Sequence, residues 1–456
     1  MEILFFLSSG LFLGWSLGAN DAANVFGTAV GTNMIKFRTA AIVCSIFIVL
    51  GATISGAGAA HTLGRLGSVN ALAGAFTTAL CAGLTVYAMT RLSLPVSTSQ
   101  AIVGAIVGWN LFSGFPTDLE SLIKIVVTWV ACPLLAAFFG ALLYQVVSKL
   151  LKHIRVHLLR LDAYTRAGLI LAGAMGAYSL GANNIANVMG VFLQANPFST
   201  FSVADGFQFT AIQQLFLLGA IAVAVGVFTY SHRVMMKVGT GLMPLSPIGA
   251  WIVVVAHSIV LFLFASEGLE HFLASHDLPT IPLVPVSSSQ AVVGAVIGIG
   301  LMKGGSAIKW RPLLNVASGW VSTPLIACLL CFVALFFMQN VFQQQVYVDH
   351  VYRLSPAVLD RLQRQGVEPG PLAELPQERV AGVSAFRNLL ADKGLSRQAE
   401  HQVLKAARLA SIDLQQDKIE SLDMNGFTAE QLDAVEALAG REFDYRWALS
   451  EALAAQ

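Results

Sequence analysis

The sequence predicts an all-α polytopic membrane protein. Its main body reads as two inverted-topology repeats of about five segments each, ten to twelve spans in all with re-entrant or broken helices, followed by a small C-terminal helical domain. Three observations predict this. The 456 residues are 56% hydrophobic and only 12% charged, with a mean hydropathy of +0.70, whereas a soluble chain carries roughly 25% charged residues. The stretch Leu17-Gly-Ala-Asn-Asp-Ala-Ala-Asn24 returns as Leu180-Gly-Ala-Asn-Asn-Ile-Ala-Asn187. Charge is also partitioned: residues 1–345 hold 15 Lys/Arg and 9 Asp/Glu, and residues 346–456 hold 12 and 17.

Hydropathy places apolar segments near 3–31, 38–57, 71–90, 94–112 and 122–148, then 167–193, 208–228, 247–265, 281–302 and 313–339. A span needs about 20 apolar residues, and the fourth segment of each set is short enough to be re-entrant. The N-terminus begins with Glu2, has no basic stretch and runs straight into the polar motif, unlike a cleavable signal.

The two sets match at three points in the same order. The Gly-Ala-Asn motifs lie 163 residues apart. Leu94-Pro-Val-Ser-Thr-Ser-Gln100 pairs with Val284-Pro-Val-Ser-Ser-Ser-Gln290, 190 apart, and Trp129-Val-x-x-Pro133 pairs with Trp320-Val-x-x-Pro324, 191 apart. The divisions are therefore residues 1–148 as the first repeat, 149–166 as a basic linker, 167–345 as the second repeat and 346–456 as a polar, acidic helical domain. An odd number of spans per repeat inverts the second repeat, the architecture in which a transported solute binds near the midplane. Lys149, Lys152, Arg155, Arg160 and Arg166 against Asp162 alone put the linker in the cytoplasm of a plasma (inner) membrane, with both termini outside.

Polar residues inside hydrocarbon are costly and mark a site by default. On a helix, Asn20, Asn24 and Thr28 fall four apart on one face with Asp21 beside them; Asn183, Asn184 and Asn187 are the second copy. In Pro95-Val-Ser-Thr-Ser-Gln100 the proline stops what precedes it, and Ser97, Thr98 and Ser99 supply N-cap chemistry. Ser287, Ser288, Ser289 and Gln290 repeat the pattern. Each reads as a half-helix starting inside the membrane, whose free N–H groups and positive dipole end make an anion site. No Lys or Arg lies in these four motifs. Hydroxyls, amides and helix N-termini suit a tetrahedral oxyanion. Asp21 either binds a cation that travels with the anion, is protonated, or accepts the proton of a protonated oxyanion.

These residues resemble the PiT family of inorganic phosphate transporters, whose signature is a duplicated Gly-x-Asn-Asp-x-x-Asn motif, joined here by the duplicated Pro-Val-Ser segment. The resemblance covers roughly residues 5–340. It implies a symporter of inorganic phosphate driven by Na⁺ or H⁺, with an inverted-repeat fold and a homodimeric assembly in the bilayer. It implies that Asn20, Asp21, Asn24, Ser97, Thr98 and Ser99 line the site with Asn183, Asn184, Asn187, Ser287, Ser288 and Ser289; Thr28, Gln100 and Gln290 join them as candidates. Asp21, Asn24 and Asn187 are the candidate Na⁺ ligands. Two departures matter: the second motif has Asn184 where the family has Asp, and Gln100 and Gln290 stand where members often carry His. Gln cannot relay a proton, which favours Na⁺ over H⁺.

The five cysteines lie in apolar segments and read as packing residues. His257 reads as a hydrogen-bonded structural histidine, Glu267, Glu270 and Asp277 as a solvated loop, and Arg91 as a snorkelling side chain. The tail carries a breaker at Glu368-Pro-Gly-Pro-Leu372 and a capping-box pattern from Thr428, with no catalytic constellation or metal set. No basic stretch with interleaved aromatics suggests nucleic-acid binding. The competing readings are a sulfate or other oxyanion permease of the same fold, an anion channel, and a membrane-embedded enzyme. A buried carboxylate argues against the channel, and the lack of any nucleophile–base pair argues against the enzyme.

Overall fold

The structure is a computed structural model that describes residues 2–67, 69–92, 96–153, 157–204, 207–241, 243–305, 308–416, 419 and 429–455. Two compact units emerge, one of residues 1–113, 117–202 and 209–347, the other of residues 114–116, 203–208 and 348–456.

The first unit is helical: α1 (Glu2–Asn20), α2 (Ala22–Gly31), α3 (Phe37–Ser55), α4 (Ala57–Leu66), α5 (Leu72–Arg91), α6 (Thr98–Ser113), α7 (Leu119–His153), α8 (Leu158–Met189), α9 (Ala211–Thr229), α10 (Ser231–Gly241), α11 (Pro247–Leu263), α12 (Glu267–Ser275), α13 (Ser288–Met302) and α14 (Trp310–Asn340). All ten segments read from hydropathy return as helices. Among the described residues six helices are long and apolar enough to cross a membrane, or seven if the α11–α12 pair, bent by 61°, is one span. The protein is thus a multi-pass membrane protein. Fewer than ten helices reach that length and apolarity, for physical reasons. At 1.5 Å per residue, the 16 residues of α6 and 15 of α13 reach only about 24 and 22 Å, short of a hydrocarbon core of about 30 Å. α8 is long, but its Asn motif and its charged first turns dilute its hydropathy.

Helices pack in reciprocal pairs across the two sets. α1 lies along α9 and α8 along α3; α6 lies along α14 and α13 along α7. Glycine permits each approach. A Cβ on Gly18 would stand 2.8 Å from the Val223 carbonyl carbon, and one on Gly226 2.9 Å from that of Trp15. The same holds for Gly104 against Pro324 (2.7 Å) and Gly294 against Pro133 (2.8 Å). Pro133 and Pro324 sit inside α7 and α14. Each lacks the N–H that would bond the residue four back, which frees the carbonyls of Trp129 and Trp320.

Two local readings change, and one is refined. The stripe Asn20–Asn24–Thr28 crosses a one-residue turn at Asp21, which keeps helical torsions (φ −81°, ψ −34°), so α1 and α2 run on as one apolar helix from Ile3 to Gly31. Glu267 and Glu270 occupy the first turn of α12, capped by Ser266, and are half-buried rather than in a loop; Asp277 follows, exposed, at φ 54°. Lys149 and Lys152 extend α7, and Arg160 and Arg166 lie on α8; Arg155, like Leu94, Pro95 and Thr428, lies outside the described residues.

The second unit is not purely helical. It holds α15 (Pro356–Arg364), α16 (Gly370–Ala373), α17 (Val383–Ala391), α18 (Arg397–Ala407), α19 (Ala429–Glu436) and α20 (Arg446–Ala454). Two antiparallel pairings, β1 (Val351–Tyr352) with β2 (Val380–Ala381) and β3 (Ile412–Asp413) with β4 (Glu442–Phe443), tie them together. Two-residue strands are too short to leave an alternating pattern in sequence. The core gathers Tyr352, Val358, Leu362, Phe386, Leu390 and Val403, with the Tyr352 and Phe386 rings stacked at 4.8 Å.

Candidate functional site

The four motifs meet inside the first unit. All fifteen site candidates named from the sequence are at most 3% exposed. Serines cap both short helices. The Ser97 hydroxyl accepts the Gln100 N–H of α6 at 3.4 Å, and Ser287 accepts the Gln290 N–H of α13 at 3.3 Å. The remaining first-turn N–H groups have no acceptor within their helix. The Ser287 carbonyl also accepts the Cys132 thiol of α7 at 3.6 Å, an anchor the cysteine's packing role already implies.

Asparagines clamp the segments ahead of these helices. The Asn20 amide donates to the Val96 carbonyl at 2.8 Å and to Asp21 Oδ1 at 3.0 Å. Asn183 donates to the Phe264 and Val284 carbonyls at 3.1 and 2.8 Å and accepts the Val286 N–H at 2.7 Å. With both ends of its amide engaged by backbone, Asn183 positions the α13 entry.

The two sets then cross. Ser99 of α6 donates to the Val286 carbonyl at 3.0 Å and lies 3.4 Å from Asn184 Oδ1. Asn187 of α8 donates to the Ser99 hydroxyl at 2.9 Å and to Asn184 Oδ1 at 2.8 Å. Ser288 of α13 donates to the Asp21 carbonyl at 3.3 Å, and Ser287 and Ser289 share a hydrogen bond at 3.0 Å. Thr98 faces the Asp21 carboxylate, though its hydroxyl does not close into a hydrogen bond. Thr28 stands apart from this web: its hydroxyl donates to the Ala250 carbonyl of α11 at 3.4 Å.

Buried polar atoms are normally paired, yet seven in the web have no hydrogen-bond partner among the described residues. Donors are left at Asn24 Nδ2, Asn184 Nδ2 and the Thr98 hydroxyl; acceptors are left at Asn20 Oδ1, Asn187 Oδ1, Gln100 Oε1 and Gln290 Oε1. Unmatched donors suit an oxyanion and unmatched acceptors a cation or a protonated ligand. No Lys or Arg side chain enters these hydrogen bonds among the described residues. Arg91 is exposed and lies over the Tyr87 ring at 5.8 Å, a snorkelling position.

One participant was not read as such from sequence. His257 of α11 is fully buried, and its Nε2 lies 2.9 Å from the Ser288 hydroxyl. The available signal was its depth, since an ionisable residue within a span is a functional candidate by default.

The model of the phosphate transporter family matches residues 17–269 and 278–421. The chain belongs to the phosphate transporter family. It is accordingly a membrane transporter and not an enzyme. The match takes in both Asn motifs, both hydroxyl runs and much of the second unit. A candidate phosphate permease of Methanocaldococcus jannaschii is 27% identical over 323 residues, covering 71% of this chain and 93% of that protein. The sulfate permease CysP of Bacillus subtilis is 28% identical over 340 residues, covering 72% of this chain and 85% of that one. Among solved structures, one described as the sodium-dependent phosphate transporter aligns with a TM-score of 0.61 at 21% identity. It covers 75% of this chain and all of that one, a likeness of fold.

Proposed function

We propose that this family member is a secondary active symporter that carries inorganic phosphate across the plasma membrane with a cation, Na⁺ in preference to H⁺. It works from two inverted repeats, with residues 149–166 on the cytoplasmic side and a homodimer as the assembly. The carrying observation is the web in which hydroxyls from each half reach the Asn motif of the other, leaving both donors and acceptors unmatched. The reciprocal pairing of α1 with α9, α8 with α3, α6 with α14 and α13 with α7 supports the inverted repeat. Gln100 and Gln290 offer amide oxygens where a proton relay needs a titratable group, which supports Na⁺.

Sulfate is the second reading, favoured by the similarity to CysP. The two anions differ in one respect that the site can use. Hydrogen phosphate carries a proton that needs an acceptor, whereas sulfate at neutral pH carries none. A site of donors alone suits sulfate; surplus acceptors beside Asp21 suit phosphate, because an acceptor left unmatched by the wrong anion costs affinity.

The test is uptake of labelled phosphate into proteoliposomes under imposed Na⁺ or pH gradients, with sulfate as competitor. Uphill accumulation driven by Na⁺ is expected, with Asp21→Asn losing the response to the gradient. Indifference to both gradients, or coupled uptake by Asp21→Asn equal to that of the unaltered chain, would overturn the reading.

A further inference from the structure

The hydrogen bonds around Ser288 fix the state of His257. A serine hydroxyl has one proton, and Ser288 directs it to the Asp21 carbonyl at 3.3 Å. With that proton committed to Asp21, the His257 Nε2 atom, 2.9 Å from the same oxygen, takes the donor role in the tautomer that completes both bonds. In the neutral ring the proton sits on Nε2 and Nδ1 is bare, and Nδ1 is buried without a partner. The result is a directed chain from α11 through the first residue of α13 to the backbone of Asp21. Asp21 is the residue at which α1 ends and α2 begins. Its carbonyl accepts the Asn24 N–H at 3.0 Å as well as the Ser288 hydroxyl, so both lone pairs are engaged and the turn is pinned from two sides.

Among the described residues the chain exists on one side only. Thr98 occupies the position of Ser288 in the first half, and it faces the Asp21 carboxylate rather than the backbone of the second Asn motif. α5, the counterpart of α11, contains no histidine. The latch therefore falls on the motif that keeps the carboxylate. The Asn copy, in the unbroken α8, is left without one.

We propose that His257 is a positioning residue for the cation half of the site. It holds Ser288, Ser288 holds the Asp21 backbone, and the Asp21 carboxylate and Asn24 amide are thereby set in place. His257 touches neither ion. This inference rests on the cation-coupled reading given above and adds to it the group that orders the cation's ligands.

The experiment uses the full chain, with Na⁺-dependent uptake in proteoliposomes and the Na⁺-induced rise in unfolding temperature in detergent. Loss of a group that orients an ion's ligands typically costs about 10–100-fold in ion affinity. His257→Ala should raise half-saturating Na⁺ by that factor and leave the phosphate KM at saturating Na⁺ little changed. His257→Gln places an N–H donor at similar reach and should restore most of the Na⁺ affinity. Ser288→Ala should raise half-saturating Na⁺ at least as much as His257→Ala, and the double variant should have no weaker Na⁺ affinity than Ser288→Ala alone, because both cut one chain. Unchanged Na⁺ affinity in His257→Ala, failure of His257→Gln to restore it, or additive losses would overturn the inference alone. An unaltered chain indifferent to Na⁺ in both measurements would overturn the symport reading and the inference together.

Discussion

Gly104→Ala tests whether close helix crossing positions the site. Gly104 lies on α6, one turn past the hydroxyl run, where α14 passes. A Cβ there would stand 2.6 Å from Pro324 Cα and 2.7 Å from its carbonyl carbon. Ordinary carbon contacts begin at about 3.5–4.0 Å, so the helices must part by about 1 Å. The obstacle is backbone, not a rotatable side chain. The expected destabilisation is near the upper end of the 1–3 kcal/mol typical of overpacking, about 3 kcal/mol. The N-terminus of α6 would move with its helix, and a misplacement of about 1 Å in a binding constellation costs on the order of 100-fold in rate. Gly294→Ala on α13 meets Pro133 in the same way, with its carbonyl carbon at 2.8 Å. Gly64→Ala is the control, because a Cβ there meets nothing within 4 Å. The assay pairs thermal unfolding in detergent with phosphate uptake at equal reconstituted protein. Gly104→Ala matching Gly64→Ala in both measurements would refute the argument that these crossings set the site.

Two further outcomes follow from the geometry. Asn184→Asp keeps the hydrogen bond that Asn184 Oδ1 accepts from Asn187 and puts a carboxyl oxygen in place of the unpartnered Nδ2, restoring the acid of the first copy, so phosphate affinity at saturating Na⁺ should change by less than about tenfold, roughly one hydrogen bond, measured by uptake kinetics. In the second unit, His350 is half-buried against the Phe115 ring at 4.8 Å, and burial first, with the Arg408 charge second, pushes its pKa down from 6.5 to about 4. Between those values the unfolded chain binds the proton that the folded one refuses. Stability from this source is complete above pH 6.5 and is lost as pH falls towards 4. Limited proteolysis of the full chain at pH 5 should cut residues 348–456 faster than at pH 7.5, and His350→Gln should remove most of that difference.

The candidate site was legible in sequence because duplication repeats its chemistry. Asn20 and Asn183, Ser97 and Ser287, and Pro133 and Pro324 each announce the other. The turn at Asp21 was not legible, since neither Asn20, Asp21 nor Ala22 forces a helix to stop, and the hydroxyl that bonds its carbonyl is that of Ser288, far along the chain. The role of His257 was hidden for the same reason: its partner lies 31 residues on, and the chain's endpoint at Asp21 is 267 residues from Ser288. α4, α10 and α12 went unread because each has at most 11 residues, below the length at which hydropathy marks a span. The strands of the second unit were too brief for any periodic signal.

The reciprocal pairing of helices has a consequence for how the protein is made. Synthesis runs from the N-terminus, so α1 and α6 enter the bilayer before α9 and α14 have been translated. A nascent chain ending at α7 has glycine-lined faces on α1 and α6 with nothing to close against. Asparagines and hydroxyls wait inside it for partners from the second half. Either half alone would leave those faces and polar groups uncovered, a cost the paired arrangement removes. The crossing at α6 closes only when α14 arrives, so the last membrane helix is the one that completes the bundle.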